Sequence, residues 1–81
     1  MPRLLTRVEP KWPREAVLGN IEGRVRARLT LDARGQVTDV SVVDATPRRV
    51  FDRNVIDALQ QWRYNEGAAG RTVETEISFR R

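Results

Sequence analysis

A strictly alternating run in the first half of the chain most constrains its fold. From residue 24 to residue 31, four apolar side chains alternate with three arginines and a threonine. Alternation with a period of two places all the apolar side chains on one face, which is the pattern of a half-buried β-strand. The apolar positions of this predicted strand are Val25, Ala27, Leu29 and Leu31.

The next segment predicts a β-hairpin. Residues 32–35 read as a turn in which Gly35 takes a positive φ. The returning strand, residues 37–43, breaks the alternation because Val37 and Val40 cannot share a face of a regular strand. One extra residue restores the register, so we predict a bulge near Thr38 and Asp39.

The chain outside the hairpin predicts two helices. Residues 14–18 follow Pro13, which suits the first helical turn, and precede Gly19 and Asn20, which favour a helix end. A longer helix is predicted after Pro47, because apolar residues recur on one helical face up to residue 62. Arg63 is expected to end it, where a cation complements the helix dipole. The apolar positions are Val50, Phe51, Val55, Ile56, Leu59 and Trp62.

The last segment, residues 72–79, alternates again and predicts a third strand. The order αββαβ indicates an α+β fold, with two helices on the apolar face of a three-stranded sheet. A right-handed crossover through the second helix brings the third strand beside the first. The spatial order of the strands is then 2-1-3, with the last strand at an open edge. The first ten residues predict an extended lead-in that is not a packed element, followed by a domain over residues 11–81.

The missing residue types exclude most catalytic and metal chemistry. The 81 residues contain no Cys and no His, so the usual zinc, haem and iron–sulfur ligand sets cannot form. A Cys nucleophile and any mechanism that needs a His base are excluded as well. No glycine-rich phosphate loop occurs. We therefore expect no enzyme, no metal and no cofactor.

Arginine dominates the charge but forms no basic block. Fifteen Lys and Arg residues oppose eleven Asp and Glu residues, for a net charge of +4. Arg24, Arg26 and Arg28 share one face of the first strand and could bind the phosphates of a nucleic acid. We favour a solvated face that pairs across strands with Glu74 and Glu76. An RNA-binding sheet would also expose aromatic side chains, and most of the five aromatics fall on predicted core faces.

The open edge of the last strand is the strongest candidate for a binding site. It would offer unpaired N–H and C=O groups, and residues 72–79 contain no Pro or Gly. An extended peptide can add to such an edge as a further strand, or a second copy of the chain can pair with it. Proline at Thr75 or Ile77 is expected to weaken peptide binding. The candidate peptide-binding residues are Thr72, Val73, Glu74, Thr75, Glu76, Ile77, Ser78 and Phe79.

Four short motifs, in this order, resemble the TonB C-terminal domain family. They are Glu9-Pro10-Lys11-Trp12-Pro13, Ile21-Glu22-Gly23-Arg24-Val25, Asp32-Ala33-Arg34-Gly35-Gln36-Val37 and Trp62-Arg63-Tyr64. A final strand ending in Ile77-Ser78-Phe79-Arg80 completes a resemblance that covers about residues 8–80. The family usually has Tyr where this chain has Trp12, and often has Pro before the position of Gly67.

The resemblance implies a periplasmic domain of an inner-membrane-anchored protein of Gram-negative bacteria. Such a protein works with the proton-driven ExbB–ExbD motor through an anchor and spacer that this sequence does not contain. Its C-terminal domain captures the TonB box, a short segment of outer-membrane transporters for siderophores, haem or cobalamin. The box would add a strand to residues 72–79.

We also expect the lead-in to assist this capture as a second contact with the partner. The residues concerned are Glu9, Pro10, Lys11, Trp12 and Pro13. Trp12 either docks this segment onto the domain or stays exposed for a partner. Two other functions stay open: a self-associating homodimer that exchanges strands, and, less favoured, a small basic domain that binds nucleic acid.

Overall fold

The structure is a computed structural model that describes residues 3–67 and 70–80. Residues 1 and 2 of the predicted lead-in, and residues 68, 69 and 81 of the predicted domain, lie outside the described residues. The described residues form two helices and five strands. In chain order these are β1 (Leu4–Thr6), α1 (Arg14–Leu18), β2 (Gly23–Leu31), β3 (Val37–Thr46), α2 (Asp52–Leu59), β4 (Arg63–Tyr64) and β5 (Thr72–Phe79).

The main sheet has the predicted strand order. β2 lies in the centre, with β3 and β5 antiparallel to it on either side. The apolar residues of β2 are buried and the arginines between them are exposed, as the alternation predicts. The α+β fold with two helices and a three-stranded sheet is therefore confirmed, and β5 is an edge strand.

The hairpin between β2 and β3 contains the predicted bulge. Thr30 pairs with Asp39, whereas Leu31 pairs with Val37, so Thr38 is the extra residue. The Thr38 hydroxyl donates a hydrogen bond to the Thr30 carbonyl at 3.2 Å. A second shift of register, at residue 43, was not predicted. The edge strand β3 is therefore interrupted twice along its length.

Hydrogen bonds to one aspartate hold the tight turn of this hairpin. Asp32 Oδ1 accepts from the backbone N–H groups of Arg34 and Gln36, each at 2.9 Å. Gly35 has a φ of +81° and is buried. This confirms the predicted turn and shows that Gly35 also packs closely against a neighbouring segment.

The core lies between the apolar face of the main sheet and the two helices. A buried side chain of Val, Leu or Phe size contributes about 1.5–3 kcal/mol, so the ten members of the core cluster that are at least this large can hold a domain without disulfides. Among the described residues no buried residue is polar or charged. The core cluster consists of Ala16, Val25, Ala27, Leu29, Leu31, Phe51, Val55, Leu59, Trp62, Tyr64, Ile77 and Phe79.

Helix α2 is shorter than predicted. It ends at Leu59, and the apolar periodicity continues through a turn that keeps Trp62 buried. The Trp62 Nε1–H donates to the Val8 carbonyl at 2.8 Å, which satisfies the polar end of this side chain. The prediction that Arg63 ends the helix is wrong, because Arg63 belongs to β4.

The lead-in is packed, and the prediction that it is not a packed element is wrong. β1 pairs antiparallel with β4, with Leu4 opposite Tyr64. The Asn65 N–H donates to the Arg3 carbonyl at 2.9 Å. The Arg7 guanidinium carbon lies 5.0 Å from the ring centroid of Trp62. A strand of three residues is too short to show a period, so only pairing with β4 reveals it.

Gly35→Ala is expected to lower the free energy of unfolding by about 2–4 kcal/mol. A Cβ there would meet the Tyr64 carbonyl, 2.5 Å from its carbon, in addition to the cost of a positive φ. Gly67→Ala is the matched control, because Gly67 has a φ of +91° but open space around it. We expect the control to cost only about 1 kcal/mol in urea unfolding. Equal losses would contradict the close packing at Gly35.

The stability of the fold is expected to fall at alkaline pH. Burial raises the pKa of the Tyr64 phenol, and the nearby Arg7 charge opposes part of that rise. The folded state therefore binds this proton more tightly than the unfolded chain. The resulting stabilisation is present below the unfolded pKa of about 10 and is lost as the pH rises through the folded pKa.

Tyr64→Phe tests this contribution because it removes the titrating group and keeps the ring. We expect the free energy of unfolding to fall less steeply above about pH 10 in the variant than in the parent chain. All other titrating groups are common to both proteins, so the difference isolates Tyr64. Parallel pH profiles would show that burial does not perturb this phenol.

Candidate peptide-binding site

β5 is an edge strand whose outer side no other described strand covers. It pairs with β2 without a register shift, from Thr72 opposite Thr30 to Phe79 opposite Gly23. The other edge of the sheet, β3, contains two shifts. A regular edge without Pro or Gly is a template for a further strand, whereas bulges interrupt pairing. β5 is therefore the edge better suited to strand addition.

One hydrogen bond fixes which backbone groups of β5 are free. The Leu31 N–H donates to the Arg71 carbonyl at 3.0 Å, across the end of the β2–β5 ladder. Bonding alternates along an antiparallel strand, so the odd-numbered residues of β5 bond to β2. The even-numbered residues direct their N–H and C=O groups to the open side. We call them the free-edge residues: Thr72, Glu74, Glu76 and Ser78.

The eight predicted binding residues thus divide into two sets. The free-edge residues have exposed side chains, whereas the odd-numbered residues are partly or fully buried. Ile77 and Phe79 belong to the core. Proline at Thr75 or Ile77 would remove a hydrogen bond to β2 and so destabilise the domain itself. Proline at Glu74 or Glu76 removes an N–H group that faces the open side.

The outer face of the sheet carries cross-strand ion pairs. Arg28 Nη2 lies 2.9 Å from Glu74 Oε2, and Arg24 Nε lies 3.8 Å from Glu76 Oε1. These side chains are all about half exposed, so each pair contributes at most about 1 kcal/mol. The predicted pairing is confirmed: two of the three arginines on β2 form an ion pair with a glutamate of β5, so the arginines are not a bare cationic stripe.

The second predicted contact is docked against the end of β5. The Trp12 ring meets Phe79 edge-on at a centroid distance of 5.5 Å and Phe51 at 6.0 Å. Phe51 and Phe79 are themselves stacked at 4.1 Å. The Asn54 side-chain amide donates to the Lys11 carbonyl at 2.8 Å. Of the two roles considered for Trp12, docking of the segment is therefore the one seen.

The rest of the segment is less closely associated with β5. Glu9 is exposed and forms an ion pair with Arg7 at 2.5 Å. Pro10 and Pro13 are partly buried, and the Lys11 side chain is exposed. The structure thus brings Trp12 to β5, and it leaves the charged groups of Glu9 and Lys11 accessible to solvent.

The described residues do not form a metal site or a membrane-spanning helix. Within residues 3–67 and 70–80, no cluster of three or more His, Cys, Asp or Glu side chains is arranged to hold a metal ion. No helix in these two ranges has the length and apolar character needed to cross a membrane.

Comparison with known proteins identifies the family. Residues 8–80 match the family model described as Gram-negative bacterial TonB protein C-terminal. The chain belongs to this family. The match covers nearly the whole chain, from Val8 to the residue after β5, and it bears out the resemblance seen in the sequence motifs.

The relatives are TonB proteins. The chain is 35% identical over 79 residues to protein TonB of Klebsiella pneumoniae, covering 98% of the chain and 32% of that protein. It is 37% identical over 79 residues to protein TonB of Salmonella typhimurium, covering 98% of the chain and 33% of that protein. The chain therefore spans about a third of the length of the curated relatives it matches.

A solved TonB domain shares the fold. The solution NMR structure of the Pseudomonas aeruginosa TonB CTD superimposes with a TM-score of 0.80 at 29% sequence identity. The superposition covers 99% of this chain and 86% of that one. The arrangement of two helices on one three-stranded sheet is thus the arrangement of a TonB C-terminal domain.

Proposed function

We propose that this chain is the transporter-binding domain of a TonB protein in the periplasm. In this proposal it captures the TonB box of an outer-membrane TonB-dependent transporter by adding the box as a strand to β5. The observation that supports it most is that β5 pairs with β2 without a register shift while no described strand covers its outer side. The chain's membership of the TonB C-terminal family links this edge to transporter binding. The cargo class would be that of such transporters: siderophores, haem or cobalamin.

The backbone supplies the affinity in this mechanism. The four free-edge residues offer four N–H donors and four C=O acceptors to an extended segment of about seven residues. Each hydrogen bond contributes about 0.5–1.5 kcal/mol net, against an association cost of about 4–15 kcal/mol. The balance favours weak, reversible capture. Binding of this kind suits a domain that must engage and release its partner repeatedly.

The ladder geometry also suits the transfer of force. A pull along the strand direction loads the hydrogen bonds of the ladder together, so the captured segment resists extraction better than a single contact would. In this proposal the force originates at the ExbB–ExbD motor in the inner membrane. It would reach the domain through a part of the TonB protein that this chain does not include. That part corresponds to the two thirds of the relatives' length that the chain does not match.

Residues 9–13 are proposed as the second contact with the transporter. The Trp12 ring against Phe79 brings this segment beside the last residue of β5. The side chains of Glu9 and Lys11 are exposed and lie beside α2, near Asn54 and Asp57. A bound segment that extends past the end of β5 would meet the part of this segment around Trp12 first, so this contact would add to backbone pairing.

A pair of prolines tests capture at the free edge. The double variant Glu74→Pro/Glu76→Pro removes two N–H donors that face the open side, and we expect it to bind a TonB-box peptide at least tenfold more weakly. Glu74→Ala/Glu76→Ala is the matched control, because it removes the same carboxylates and keeps both N–H groups. Binding is followed through the ¹⁵N amide shifts of the domain, and circular dichroism checks that each variant is folded.

Two results would count against the proposal. One is a set of shifts that avoids residues 72–79 in the parent domain. The other is a folded proline variant that binds as tightly as the alanine control. Sedimentation across a range of concentrations, run on the same samples, separates peptide capture from pairing of β5 with a second copy.

A further inference from the structure

The first described residues form a strap that runs along the domain to the end of β5. We define the strap as residues 3–12. Near its start, β1 pairs with β4, with Leu4 opposite Tyr64. At its other end, the Trp12 ring contacts Phe79, the last residue of β5, at a centroid distance of 5.5 Å. The strap therefore connects the beginning of the domain with the strand that is proposed to hold the transporter.

Separate contacts, and not a continuous ladder, hold the strap on the domain. Its backbone carbonyls accept three hydrogen bonds, at 2.9, 2.8 and 2.8 Å: Arg3 from the Asn65 N–H, Val8 from the Trp62 indole and Lys11 from the Asn54 amide. By contrast, β5 pairs with β2 at eight consecutive residues without a register shift. The twelve residues of the core cluster all follow the strap in the chain, from Ala16 onwards.

We propose that the strap detaches first when the domain is pulled, and that its release frees the segment captured by β5. This inference rests on the proposed function, since it requires a captured segment and a pull from the rest of a TonB protein. The matched family is the C-terminal part of TonB, so the pull arrives from the N-terminal side, at Arg3. The strap would thus limit the force that reaches a transporter.

The order in which the contacts break follows from where the pull arrives. A pull at Arg3 acts on the nearest contact first, and each contact must hold the whole load until it breaks. A single hydrogen bond is weak in net terms, because water competes for both of its partners. The captured segment shares its load among all the hydrogen bonds of its ladder. The strap therefore detaches at a lower force than the segment would.

The contacts that are lost last join the strap to β5. Trp12 meets Phe79 and Phe51 edge-on, and those two rings are stacked at 4.1 Å. Edge-on aromatic contacts stabilise a structure beyond the area that they bury. When Trp12 leaves, water reaches the Phe79 ring and the end of β5 loses its support. The adjacent free-edge residue, Ser78, is then less ordered and pairs less well with the captured segment.

A disulfide that bypasses the strap tests the proposal. Thr6 and Arg63 are paired across β1 and β4, and both are exposed. Paired residues of antiparallel strands have the Cα spacing of a disulfide. The chain has no cysteine, so Thr6→Cys/Arg63→Cys forms a single disulfide. A pull at the N-terminus then reaches β4 directly, and residues 7–12 carry no load. The reduced form of the same variant is the matched control.

Optical tweezers measure the lifetime of the complex with a TonB-box peptide, under a constant pull between the N-terminus of the domain and the peptide. We expect the oxidised variant to hold the peptide about tenfold longer than the reduced variant at the same force, because Trp12 keeps its two aromatic contacts. Without a pull, the two forms are expected to release the peptide at the same rate.

A second variant weakens the strap without a crosslink. Asn54→Ala removes the amide that holds the Lys11 carbonyl, one residue before Trp12. We expect it to shorten the lifetime under load about threefold and to leave the release rate without load unchanged. Thr38→Val is the matched control, because it removes one side-chain hydrogen bond to a backbone carbonyl in the β2–β3 hairpin, away from the strap. Circular dichroism checks that each variant is folded.

The outcomes separate the strap mechanism from the proposed function. Equal lifetimes of the oxidised and reduced forms under load overturn the mechanism, while peptide capture by β5 stands. A disulfide that lengthens the lifetime equally with and without a pull also overturns it, because the gain is then ordinary stabilisation. If the peptide binds neither form nor the parent chain, the proposed function fails as well.

Discussion

The antiparallel ladder between β2 and β5 determines what this domain can present to a partner. β2 uses every second residue to bond to β3 and the residues between them to bond to β5. β5 therefore has one satisfied side and one open side, and the phase of the ladder assigns the open side to the four free-edge residues. Two of these residues, Glu74 and Glu76, also form the ion pairs to β2.

The core keeps this open strand in place before any partner arrives. Ile77 and Phe79 are buried, and the aromatic cluster of Trp12, Phe51 and Phe79 fixes the end of β5 against the segment that precedes α1. An edge that is ordered in advance loses less conformational entropy on binding. In the proposed function, this order would let a ligand held mainly by backbone hydrogen bonds bind to β5.

Local patterns made much of the fold predictable. The alternation in β2, the Gly35 turn and the displaced valines around Thr38 gave the hairpin and its bulge, because each signal lies within a few residues. β1 could not be predicted, since three residues are too few to show a period. The end of α2 could not be predicted because Trp62 stays buried in the core after the helix ends at Leu59. Alternation showed which face each β5 residue takes, but only the Leu31–Arg71 hydrogen bond shows which residues turn their backbone groups outward.

Amide hydrogen exchange of the free domain distinguishes an open outer side of β5 from a covered one. Exchange reports whether each backbone N–H is hydrogen-bonded within the structure. We expect alternation along β5: slow exchange at Val73, Thr75 and Ile77, and exchange at least about a hundredfold faster at Glu74 and Glu76. Uniform protection along β5 in a monomeric sample would contradict an open edge, because it would mean that the outer side of the strand is already covered.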